Sequence, residues 1–161
     1  MFNDFQKMPK SSRVWIYQAN RDLTGPEVDW LEKVAQSFCE NWQAHGQDLS
    51  SSYRISHNRF LILAADEGAA LPSGCSIDSS VRLVTEVQKH IRVDFFDRTA
   101  VAFLDNGKVK VENLNELKDK VASGEIMKSA ETFNNLVTTI DEMENNWLAP
   151  ASETWLKKYF N

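Results

Sequence analysis

The sequence predicts an α+β fold, or a mixed-sheet α/β fold, on three observations. Two long stretches carry apolar residues at helical spacing. Several short stretches are rich in β-branched and aromatic residues. The two kinds alternate in the first half, whereas strands and then helices follow one another in the second. The implied order is β-α-β-α-β-β-β-α-α, a mixed sheet with helices packed on it. At 161 residues the chain reads as a single globular domain over 1–161, with residues 1–12 as a flexible lead-in.

Arg13-Val14-Trp15-Ile16-Tyr17-Gln18-Ala19 is apolar on both faces and predicts a central strand. Thr24, Pro26 and Glu27 then form a helix-start signature, with Thr24 as cap and Glu27 reaching back to the cap N–H. Val28, Leu31, Ala35, Phe38 and Trp42 form one stripe, and Gly46 is read as the helix end, with His45 in its last turn beside the negative end of the dipole. Residues 53–65 read as extended, either as one strand or as a hairpin turning at His57-Asn58.

Ile77, Val81, Val84, Val87 and Ile91 mark the clearest helix, with Arg82 and Glu86 four apart on its other side. Residues 93–96 and 100–104 are expected as short strands. Asn106-Gly107 predicts a two-residue hairpin turn, because both residues tolerate positive φ, and 109–112 returns with one face wet. Leu114, Leu117 and Val121 predict a short helix ending at Gly124. Phe133, Leu136, Val137, Ile140, Met143 and Trp147 predict a longer one stopped by Pro150, and Trp155, Leu156, Tyr159 and Phe160 predict a docked C-terminal segment.

Composition narrows the function. Hydrophobic residues are 42% and charged residues 25%, ordinary for a globular chain. A formal net charge of -5 argues against nonspecific binding to nucleic acid or to an anionic membrane surface. No apolar run is long enough to span a bilayer, and the first ten residues lack a signal-peptide core, so a cytoplasmic location is expected. Cys39 and Cys75 are the only cysteines. They make neither a disulfide framework nor a zinc site and are expected as free thiols. No metal or cofactor is implied. The five tryptophans serve either core packing or a homodimer interface.

One stretch gathers features of a ligand site. The apolar run 60–65 and the break Asp66-Glu67-Gly68 lead into the helix start at 73–82. A helix N-terminus offers unpaired N–H groups and partial positive charge. Ser73 and Ser76 add hydroxyls, Gly74 permits close approach, and Arg82 can add a full charge, a set suited to a small anion. The plainer role of the same residues is capping, with Ser76 or Asp78 as cap. Cys75 at this position is a candidate nucleophile, with His45 or His57 as base; His90 lies at the far end of the same helix. Asp66, Asp97 and Arg98 form a second cluster. If the two carboxylates meet, they can act as an acid–base or metal-binding pair; otherwise they serve turns and ion pairs.

The fragments Val14-Trp15-Ile16-Tyr17-Gln18-Ala19-Asn20-Arg21, Trp42-Gln43-Ala44-His45-Gly46 and 73–82 resemble a family of small bacterial proteins of about this length, often labelled ABC-transporter ATPases. The resemblance covers most of the chain and implies a shared fold. It brings no established activity with it. The sequence has no G-x-x-x-x-G-K-[ST] stretch, so a P-loop ATPase is not expected. Three classes of function follow: a domain binding a small anionic ligand or a protein partner at the 73–82 helix start, a thiol-dependent enzyme, or a structural homodimer module.

Overall fold

The fully apolar run at 60–65 becomes the middle strand of a sheet, the one place where every side chain of a strand is covered. In the computed structural model, which describes residues 1–66, 68 and 74–161, all six residues of β5 (Phe60–Ala65) are buried. β1 (Arg13–Gln18) and β4 (Ser51–Ser56) flank it, both antiparallel, in the order β1-β5-β4. The hairpin alternative is therefore the correct one for 53–65. His57 and Asn58 take φ of 54° and 51°, and Asp22 Oδ1 holds the turn by accepting from Arg59 Nε and Nη2, each at 2.9 Å. β1, expected in the middle, is instead an outer strand.

The chain divides into two compact units. The first holds Met1–Phe96 and Thr138–Asp141, the second Asp97–Val137 and Glu142–Asn161. In the first, α1 (Gly25–Asn41) starts with the predicted capping box, Thr24 accepting from the Glu27 N–H and Glu27 accepting from the Thr24 N–H. It stops well short of Gly46. Trp42 turns out of the helix to bury its indole, and its Nε1 donates to the Ser76 carbonyl at 2.9 Å. His45 and Gly46, at φ of 53° and 75°, instead turn a small hairpin of β2 (Gln43–Ala44) and β3 (Gln47–Asp48). His45 is thus a turn residue and not a helix cap.

α2 (Gly74–Ile91) follows the predicted period, but its first half is rotated. Ser76 and Ser80 face inward ahead of Val84 and Val87, whereas Val81 is 39% exposed. At position 80 the Tyr17 hydroxyl, 3.3 Å from Ser80 Oγ, gives a buried serine a partner on the core side. Residues 93–96 form no strand, because their amides are met by side chains: Asn20 Oδ1 accepts from Asp94 and Gln88 Oε1 from Phe95. Residues 1–12 are tied down, contrary to the expected lead-in. Phe5 and Met8 are buried, Asn3 N donates to Ser51 O, and the Arg54 guanidinium lies 4.1 Å from the Phe5 ring centroid.

In the second unit, β6 (Ala100–Asp105) and β7 (Lys108–Asn113) form the predicted hairpin, Asn106 and Gly107 taking φ of 51° and 77°. β8 (Glu131–Phe133) and β9 (Leu148–Pro150) complete the order β7-β6-β8-β9. α3 (Leu117–Ala122) ends as expected before Gly124 at φ 82°. The long helix expected from Phe133 to Trp147 shrinks to α4 (Ile140–Asn146), whose first two residues belong to the first unit, with Phe133 in β8. Asn134 and Asn135 break the period, Asn134 Oδ1 accepting from Leu136 N and Asn135 Oδ1 from Trp147 Nε1. The core gathers Val101, Phe103, Leu117, Ile126, Ala151 and Leu156, the last from the 3₁₀ turn Trp155–Tyr159, so the C-terminal segment docks as expected.

All these strand pairs are antiparallel, and the helices pack beside them. The fold is α+β. The mixed-sheet α/β alternative is not what the strands form.

Candidate functional site

At the start of α2, Ser73 lies outside the described residues. Gly74 and Cys75 are exposed, whereas Ser76 is buried with its carbonyl bonded to Trp42. Ser79 and Ser80 turn their hydroxyls back on the helix, donating to Cys75 O at 2.9 Å and Ile77 O at 2.6 Å. Arg82 is exposed and donates from Nη2 to Ser79 Oγ at 3.3 Å, while Glu86 pairs with Lys89. The described residues of this stretch thus point in different directions: two at the surface, one into the core and the hydroxyls along the helix.

The two thiols differ sharply. Cys39 is buried, and burial pushes its thiol up to about 12; Cys75 is exposed. Each histidine has a local role. His45 sits in the β2–β3 turn, His57 Nδ1 lies 2.9 Å from Ser56 Oγ, and His90 stacks on Trp30 with centroids 4.1 Å apart. Among the described residues, none of them hydrogen bonds to Cys75.

Local turns account for the carboxylates. Asp66 Oδ1 accepts from Gly68 N at 2.9 Å in the first unit. In the second, Asp97 Oδ1 accepts from Thr99 Oγ1 at 2.6 Å and Thr99 N at 2.9 Å, which holds its carboxyl below the usual range. Arg98 is exposed. Among the described residues no group of three or more His, Cys, Asp or Glu could hold a metal ion.

A pronounced concavity lies elsewhere, wholly within the second unit. It is a cleft of about 790 Å³ lined by Val121, Ile126, Met127, Tyr159 and Phe160, with Lys118, Lys128 and Lys158 among its walls. Three elements build it. α3 supplies Lys118 and Val121. The loop after Gly124 folds back as Ile126 N donates to Lys120 O at 3.1 Å, and Ser152 N fixes Lys128 by donating to its carbonyl at 3.1 Å. The C-terminal 3₁₀ turn, capped by Thr154 accepting from Leu156 N, carries Lys158.

Val121, Tyr159 and Phe160 also pack on the core, so the apolar floor is rigidly backed. Met127 is 64% exposed. The neighbouring Lys120 is engaged by the buried Glu112, but among the described residues Lys118, Lys128 and Lys158 have no carboxylate partner. Lys158 Nζ instead lies 5.3 Å from the Tyr159 ring centroid and 5.8 Å from that of Trp155. The sequence reading missed this site because its parts are short and scattered. The readable signal is the pairing of lysine with apolar neighbours in Met127-Lys128 and Lys157-Lys158-Tyr159-Phe160.

No protein-family model, curated protein or solved structure matches the chain. No described helix is long and apolar enough to cross a membrane. Trp42 and Trp147 are buried within their units, and Trp15 and Trp30 pack against the first core, so the tryptophans largely serve internal packing.

Proposed function

We propose that the chain is a cytoplasmic binding domain whose site is the cleft of the second unit, taking a ligand that is apolar in part and negatively charged. The observation that carries this reading is the set of three lysines without carboxylate partners around an apolar floor, in a chain of net charge -5. An anion entering the cleft gains three cations while its apolar part leaves water. The resemblance to small bacterial proteins labelled ABC-transporter ATPases enters this proposal as a shared fold alone.

The test uses 8-anilinonaphthalene sulfonate, an apolar anion whose fluorescence rises on desolvation. Binding is expected to weaken with added salt. It should fall about tenfold or more when Lys118, Lys128 and Lys158 are all changed to Ala. Equal binding by the triple variant would remove the reading.

A second reading, a thiol-dependent enzyme, rests on the exposure of Cys75 in the first turn of α2. Iodoacetamide labelling across pH decides it. A rate for Cys75 no faster than that of free glutathione at each pH excludes an activated nucleophile.

A further inference from the structure

Three cations on three separate elements set a condition on what fills the cleft. Lys118 comes from α3, Lys128 from the loop that follows it, and Lys158 from the C-terminal 3₁₀ turn. A fatty acid or other single-headed amphiphile brings one negative charge to three cations. A chain bearing several carboxylates can meet all three at once. Building on the binding-domain reading above, we infer that the occupant is an acidic amphipathic helix of a protein partner, its apolar face against Val121, Ile126, Met127 and Phe160 and its acidic residues beside the lysines.

Two further features fit a peptide. The cleft is open to solvent and not enclosed, which leaves a helix room to enter. Met127 stands 64% exposed at its wall, and an unbranched thioether can reshape itself around a partner's side chains. The apolar floor is small for a stable protein interface, so affinity is expected in the micromolar range.

The experiment titrates the isotopically labelled full chain with a peptide of about twelve residues, leucine and phenylalanine at i, i+3, i+4 and i+7 and glutamate elsewhere. Amide shifts report where it binds. Saturable shifts confined to residues 118–128 and 158–161 are expected. Binding should be at least about tenfold weaker for a scrambled peptide of the same composition and undetectable for one with lysine in place of glutamate.

The variant carrying Lys118→Glu, Lys128→Glu and Lys158→Glu should lose the glutamate peptide and gain the lysine peptide, with its remaining amide spectrum unchanged. That exchange of partners cannot come from misfolding. Equal binding of the scrambled peptide, or shifts elsewhere, overturns the inference. If decanoate saturates the cleft while the acidic peptide does not, the helical partner is wrong and the binding-domain reading stands. If neither probe shifts these residues, both fail.

Discussion

The two units are held together differently. In the first, the all-buried strand β5 lies under α1 and α2, and Leu31, Trp42, Leu61, Leu63, Val84 and Val87 form one continuous apolar mass. The second has a smaller core and only short helices; each unit covers a charge, Arg59 beside Asp22 in the first and a carboxylate in the second. Glu112 on β7 is 5% exposed, with Lys120 and Lys110 on its carboxylate. Long helices give the first unit a larger apolar area to set beside its polar pairs. In the second, built from short elements, a polar pair carries a larger share, and the loop after Gly124 leaves a concave surface beside the core.

The sharpest way to break this contrast is Trp42→Ala. It removes ring contacts to Trp15 and Phe38, at centroid distances of 5.6 and 4.9 Å, together with the bond to Ser76 O. A loss of about 4 kcal/mol is expected, read by urea denaturation and by faster amide exchange in β1 and β5. A loss under about 1 kcal/mol would mean that the first unit does not depend on this packing.

Glu112→Gln tests the other side. It leaves Lys120 facing a neutral amide, and about 2 kcal/mol is expected to be lost at neutral pH, with faster exchange in β6 and β7. The pH dependence follows from the direction of the Glu112 shift. Burial alone would push its carboxyl up, but the bonds and charges of Lys120 and Lys110 outweigh burial and set it below the ordinary value of 4.5. Its contribution is therefore complete above that value and disappears as pH falls through the lower, folded-state value. Wild type should lose stability over that acid range relative to Glu112→Gln, and parallel profiles would remove the ion pair from the account.

Thr24→Ala removes one half of the capping box of α1 and should cost about 1 kcal/mol, seen as fraying of the first turn by amide exchange. Arg82→Ala should be the smallest change, within about 0.5 kcal/mol, since an exposed side chain bonded, among the described residues, only to Ser79 adds little. A larger effect would show that the start of α2 is coupled to the core more tightly than its geometry implies.

These contrasts track what could be read from the residues. The capping box at Thr24, the turn at Asn106-Gly107, the period of α2 and the docking of Leu156 follow from local chemistry and appear where expected. The errors come from distant partners. α1 stops early because the Trp42 indole finds the Ser76 carbonyl across the first core. The helix expected after Phe133 is cut short where Asn134 and Asn135 bind nearby groups and Phe133 joins β8. The cleft was invisible for a related reason: Lys118, Lys128 and Lys158 are unremarkable one by one, and only the folded loop after Gly124 gathers them. Ser79 and Ser80, legible as part of a serine group, turn out to donate to carbonyls of their own helix.

The short return of Thr138–Asp141 to the first unit has a consequence for how the protein is made. Val14 N donates to Thr138 O, Ile140 N to Ser12 O and Asp141 N to Lys10 O, so this stretch closes the outer edge of β1. On a ribosome, the amino-terminal half would emerge with that edge bare and wait for more than forty further residues before its seal arrives. A gene truncated after Phe96 would therefore yield a sheet with an open flank, prone to pairing with its own copies.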